Sequence, residues 1–98
     1  DFDKKVHLLE EVDARIPRIL ELEPDVLIVT GDHSTPAVMG SHSWHPVPTV
    51  IASDRSIPLP GAQLTERSCT AGTLGQIPSS SLMALALAHA GRLAKFGA

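Results

Sequence analysis

Between positions 32 and 45 the chain gathers one carboxylate and three imidazoles. Asp32 and His33 lie in Thr30-Gly31-Asp32-His33-Ser34-Thr35-Pro36, and His42 and His45 in Ser41-His42-Ser43-Trp44-His45-Pro46-Val47-Pro48. Carboxylate oxygen and imidazole nitrogen together suit zinc or manganese. Asp32 and His33 are adjacent, so on an extended segment their side chains point apart. At the irregular end of a strand both can turn toward one cation or a pair of cations, and Gly31 allows that turn. The plainer reading makes Asp32 the start of a turn and His33 a polar loop residue. His42 and His45 stand three apart, a helical spacing, yet Trp44 and the coming prolines favour an extended or turned backbone. Each is either a ligand or a hydrogen-bonded loop histidine.

Other chemistry-bearing residues are weaker candidates. Ser34, Thr35, Ser41 and Ser43 offer hydroxyls, but the chain has no Gly-x-Ser-x-Gly elbow, phosphate-cradling glycine loop or dinucleotide fingerprint. Cys69 stands alone, so no internal disulfide can form, which fits a reducing compartment and argues against a structural zinc finger. No base is evident beside it, and it reads as a small buried residue. His7 reads as a helix-surface residue and His89 as a histidine packed among core neighbours.

The elements that must position the polar stretch follow from hydrophobic spacing. Phe2, Val6, Leu9, Val12, Ile16 and Leu20 recur at three- and four-residue steps and predict a helix over 2–22 with one face toward a core. Pro17 removes a backbone donor inside that helix and predicts a kink or a restart there, and Pro24 ends the pattern. Val26-Leu27-Ile28-Val29 predicts a buried strand running into the Asp32-His33 loop. Thr49-Val50-Ile51-Ala52 predicts a second core strand, entered through the extended Pro46-Val47-Pro48. Residues 53–78, rich in Pro, Gly, Ser and Thr, predict irregular chain with one helical turn near 70–74. Ser79-Ser80-Ser81 offers caps for a last helix over 82–95, with Leu82, Leu85, His89 and Leu93 on one side, Met83, Leu87 and Ala90 on another, and Arg92 and Lys95 near its negative pole. The fold class is α/β: helix, buried strand, metal loop, strand, irregular stretch and C-terminal helix.

Composition narrows the partners. At 98 residues the chain is at most one small domain and buries only a modest share of its surface, which suggests a piece of something longer. A net charge of −3, with acids and bases interspersed, leaves no basic stripe for nucleic acid and no polybasic anchor for a lipid surface. The longest apolar run, 82–88, is far short of the roughly 20 residues a bilayer span needs, and Asp1-Phe2-Asp3-Lys4-Lys5 has no signal-peptide character. A soluble, intracellular protein is expected.

Asp25 to Pro48, DVLIVTGDHSTPAVMGSHSWHPVP, resembles the metal-binding end of the archaeal-type cofactor-independent phosphoglycerate mutases, within the alkaline phosphatase superfamily. Glu66-Arg67-Ser68-Cys69, Gly72-Thr73-Leu74-Gly75 and the ending Lys95-Phe96-Gly97-Ala98 resemble the C-terminal region of the same family. The resemblance implies an alkaline-phosphatase-like core and two divalent ions, manganese or zinc, with cobalt or magnesium also admitted. It implies that Asp32 and His33 bind one ion and His42, four positions before the Pro-Val-Pro element, binds the other. His45 matches no ligand position as securely as these; the resemblance has it face substrate or support the loop. The implied reaction interconverts 3-phosphoglycerate and 2-phosphoglycerate through a phosphoserine, a cytoplasmic step of glycolysis.

The family's nucleophilic serine and its remaining aspartate motifs lie before the region represented here. Residues 1–98 are therefore expected to be the C-terminal portion of a metalloenzyme domain, dependent on the rest of its own chain and inactive alone. Two rival readings stand: another metal-dependent phosphoester or phosphonate enzyme of the superfamily, and a non-catalytic α/β module whose histidines serve packing or a partner.

Overall fold

Val26–Val29 (β1) is an unbroken run of β-branched and apolar residues, Val50–Ser53 (β2) opens on Val50-Ile51-Ala52, and the two pair with each other. A computed structural model of the chain describes residues 1–93. In it β1 and β2 form a two-stranded antiparallel sheet in the register Val26 to Ser53, Leu27 to Ala52, Ile28 to Ile51 and Val29 to Val50. Beyond the last pair the Thr30 and Thr49 hydroxyls meet at 2.7 Å, and Thr30 Oγ1 also donates to the Pro48 carbonyl at 3.4 Å. The chain between them, 31–48, is thus a long loop clamped at both ends. The observed class is mixed helix and small antiparallel sheet.

Helix α1 (Phe2–Leu20) begins at Asp1, whose carboxylate accepts from the Lys4 amide at 3.2 Å, and carries Asp3 in its first turn and Arg18 in its last. It runs through Pro17 as one helix, so the predicted restart does not occur. Because α1 is exposed along almost its whole length, the carbonyl that Pro17 leaves without a partner can be hydrated, which lowers the cost of keeping the helix intact. The predicted core-facing stripe is present but uncovered: Phe2 is 68% exposed, Leu9, Val12 and Leu20 are exposed, and Ile16 alone is half-buried.

The C-terminal half corrects three expectations. The helical turn falls at Glu66–Thr70 (α2), ahead of the predicted 70–74, because Thr65 caps it: its hydroxyl accepts from the Ser68 amide at 3.1 Å. A 3-10 turn at Ser79–Ser81 leads into α3 (Leu82–His89), and these serines make no side-chain cap. Helix α3 stops well short of 95. Gly91 takes φ +72°, its amide donates to the Ala88 carbonyl at 3.0 Å, and the Arg92 amide donates to the Leu87 carbonyl at 2.8 Å. This is a Schellman termination, which needs the left-handed residue that glycine supplies. Arg92 therefore lies past the helix end, and Lys95 and the Lys95–Ala98 ending lie outside the described residues.

Helix α3 packs on β1 and turns Leu82, Leu85 and His89 inward, while Met83, Leu87 and Leu93 stay exposed. No described residue is fully buried, so neither strand is the buried core strand expected: β1 is half-buried along its length, and β2 alternates exposed and half-buried.

Candidate metal centre

The loop that leaves β1 returns on itself. Residues 37–40 form a turn with Gly40 at φ +61°, and Ser34 and Ser43 then pair as an isolated antiparallel bridge, the Ser43 amide donating to the Ser34 carbonyl at 2.9 Å. Antiparallel pairing puts His33 opposite Trp44 and His42 opposite Thr35, so the two histidines are diagonal neighbours across the turn, within reach of each other's rings. Their rings stack with centroids 3.5 Å apart and planes 20° from parallel. The left-handed position the turn needs is Gly40; Gly31, which the sequence pointed to, has ordinary backbone, and a Cβ there would meet Val47 at an unstrained 3.8 Å.

Asp32 adds the carboxylate. Its Oδ2 lies 3.4 Å from His33 Nε2, its Oδ1 accepts from the His33 amide at 3.0 Å, and its side chain is 88% exposed. His33 Nδ1 lies 3.0 Å from the Thr35 hydroxyl, which fixes the ring and leaves Nε2 facing the carboxylate. Lys5, on α1, donates to the Thr35 carbonyl and so ties the first helix to this loop. His45 sits on the returning strand of the loop. Its Nδ1 is 2.8 Å from the Ser43 hydroxyl, and its ring stacks on Trp44 with centroids 4.6 Å apart. The Ser34 hydroxyl donates to the carbonyls of His45 at 3.0 Å and Pro46 at 3.3 Å.

One carboxylate and two imidazoles on adjoining backbone are the donor types zinc or manganese takes, so the residues fit a metal in kind. They do not fit in number. Among the described residues no three His, Cys, Asp or Glu side chains converge tightly enough to hold an ion. Asp32, His33 and His42 form part of a ligand set, open to groups from elsewhere.

The hydroxyls of Thr35, Ser34 and Ser43 are the residues that spacing failed to single out except as generic nucleophiles. Nothing in the sequence distinguished them from the chain's other Ser and Thr residues; the hydrogen bonds to His33 and His45 do. The other polar side chains of interest lie apart. His7 is on the exposed face of α1, 3.3 Å from Glu11. His89 Nδ1 is held by the Ser53 and Ser56 hydroxyls at 2.8 and 3.2 Å. Cys69 is half-buried, its thiol 3.8 Å from the Thr49 carbonyl. A polar hollow lined by Glu23, Pro24, Asp25, Asp54 and Arg55 lies at the opposite end of the sheet and contains no imidazole.

Residues 1–89 match the family model described as the metalloenzyme superfamily. Curated relatives named probable 2,3-bisphosphoglycerate-independent phosphoglycerate mutase are 56% identical over 97 residues in Thermotoga neapolitana, 53% over 98 in Thermosipho melanesiensis and 48% over 98 in Thermus thermophilus. In each case the match covers 99 or 100% of this chain and 24% of the relative, so the chain spans about a quarter of their length. No solved structure matches it. With that match running over residues 1–89, the loop that presses two imidazoles and a carboxylate together included, the chain belongs to the metalloenzyme superfamily.

Proposed function

We propose that residues 1–98 are the C-terminal, metal-binding portion of a cofactor-independent phosphoglycerate mutase that interconverts 3-phosphoglycerate and 2-phosphoglycerate in the cytoplasm as a step of glycolysis. The observation that carries this reading is the Ser34–Ser43 bridge, which brings His33 and His42 from nine positions apart in sequence to stacked rings beside Asp32. The names of relatives 48–56% identical support the substrate.

In this reading Asp32 and His33 hold one divalent ion and His42 the other, with manganese or zinc suited to the mixed oxygen and nitrogen donors. In the same reading the remaining ligands and the serine that carries the phosphoryl group come from outside these residues, in a region expected upstream, and complete an alkaline-phosphatase-like core. When bound, such a pair of ions polarises the phosphoryl oxygens and stabilises charge during in-line displacement. This chain's own contribution is orientation. Thr35 fixes the His33 ring, the Ser34–Ser43 bridge fixes the spacing of His33 to His42, and the Thr30–Thr49 contact anchors the loop to the sheet.

The test uses the complete protein. Asp32→Ala and His42→Ala are expected to lower its content of divalent metal and to abolish conversion of 3-phosphoglycerate. Unchanged metal content in both variants would sink the reading. Retained metal dependence with hydrolysis of a generic phosphoester, and no action on phosphoglycerate, would move the protein to another enzyme of the superfamily.

A further inference from the structure

Of the chain's histidines, His45 is exposed yet held on every side. Ser34 pins its backbone carbonyl, Ser43 occupies its Nδ1, and Trp44, itself 83% exposed, lies against its ring. Ordering an exposed side chain costs rotamer freedom with no burial to offset it. His89, by contrast, is half-buried and saturated by two serines, and His7 pairs along its own helix. With Nδ1 engaged, Nε2 of His45 is the ring nitrogen left without a partner among the described residues.

Charge supplies the second line of argument. The loop from Thr30 to Pro48 contains neither arginine nor lysine, and the ammonium of Lys5, which reaches it, is engaged by the Thr35 carbonyl. A phosphoryl oxygen entering beside Asp32 would therefore find donors from the loop itself only in imidazole, hydroxyl and backbone N–H groups, the one nearby cation being Lys5 on α1 with two N–H groups beyond its bond to Thr35. The Ser43 hydroxyl can donate to Nδ1, which leaves the proton on Nε2 and makes it a donor.

Resting on the mutase reading above, we infer that His45 is a substrate-binding residue that offers Nε2–H to an oxygen of the substrate's phosphoryl group, and that Ser43 is the positioning residue that sets its ring. His45 is not a metal ligand.

In the complete protein, His45→Ala is expected to keep the wild-type metal content while weakening the binding of inorganic phosphate, measured by calorimetry, by about tenfold, the loss typical of one hydrogen bond to a charged group. KM for 3-phosphoglycerate rises with it. His45→Asn, whose amide keeps a donor, recovers part of the loss, and Ser43→Ala shows a smaller loss in the same direction. His45→Phe keeps a ring for Trp44 to stack on and is expected to lose phosphate affinity as the alanine variant does, so the test survives if that variant does not fold. Loss of metal on His45→Phe would overturn the inference in favour of a ligand, and wild-type phosphate affinity would overturn it in favour of loop packing. The two readings separate cleanly: if Asp32→Ala depletes metal while His45→Phe leaves phosphate binding untouched, the mutase reading stands and this inference alone falls.

Discussion

The Thr35 hydroxyl, 3.0 Å from His33 Nδ1, orients one candidate ligand as Ser43 orients His45. Partners of this kind fix the ring angle and tautomer of a ligating histidine, and losing one costs about 10–100-fold in metal affinity. Thr35→Val, close in shape but without the hydroxyl, is expected to fall in that range when the complete protein is titrated with zinc or manganese; an unchanged affinity would remove Thr35 from the centre. At this scale the sequence was informative about the chemistry-bearing side chains and silent about their supports. Asp32, His33, His42 and His45 stand out because few residue types hold metals or move phosphate. Ser and Thr occur everywhere, and only a hydrogen bond singles one out.

Element boundaries depended on local competition between propensity and termination. Strand β1 matched its apolar run, and β2 lay one residue later than its own, because cross-strand pairing with β1 recruited Ser53 opposite Val26. Helix α3 stopped early because Gly91 can adopt φ +72° and close the helix with two backbone bonds, an option the apolar periodicity does not reveal. Gly91→Ala is expected to destabilise the complete protein by about 1–2 kcal/mol in chemical denaturation, the cost of a left-handed non-glycine residue. The added Cβ would also meet Arg55 Nη2 at 2.7 Å, but that guanidinium is the end of a flexible chain and can move aside. Pro17 gives the opposite sign. Since α1 passes through it unbroken, Pro17→Ala restores a helix hydrogen bond and is expected to raise stability by up to about 3 kcal/mol. A lowered midpoint would mean that the proline is needed where α1 is covered.

At the scale of the whole chain, surface dominates. Its accessible area is 8240 Å², against about 5,400 Å² for a folded chain of this mass. Its radius of gyration is 15.1 Å, against about 12.6 Å for a compact domain of this length. Nothing among the described residues is fully buried, and a two-stranded sheet carrying one short helix is marginal in water. Expressed alone, the 98 residues are therefore expected to unfold without a sharp transition and to bind a hydrophobic dye. A cooperative two-state melt would show that the exposed stripe of α1, Phe2, Leu9 and Val12, needs no cover.

The amino-acid order by itself determined which side chains are candidates for metal chemistry, where the first strand lies, and which face of the first helix is apolar, because those are properties of residue type and short-range period. Only the tertiary structure decided that His33 and His42 lie ring on ring, that the two strands run antiparallel with the loop clamped by Thr30 and Thr49, and that the apolar stripe of α1 is left exposed except at Ile16. Those facts depend on contacts between residues far apart along the chain, and a contact of that kind leaves no mark on the local pattern of either partner.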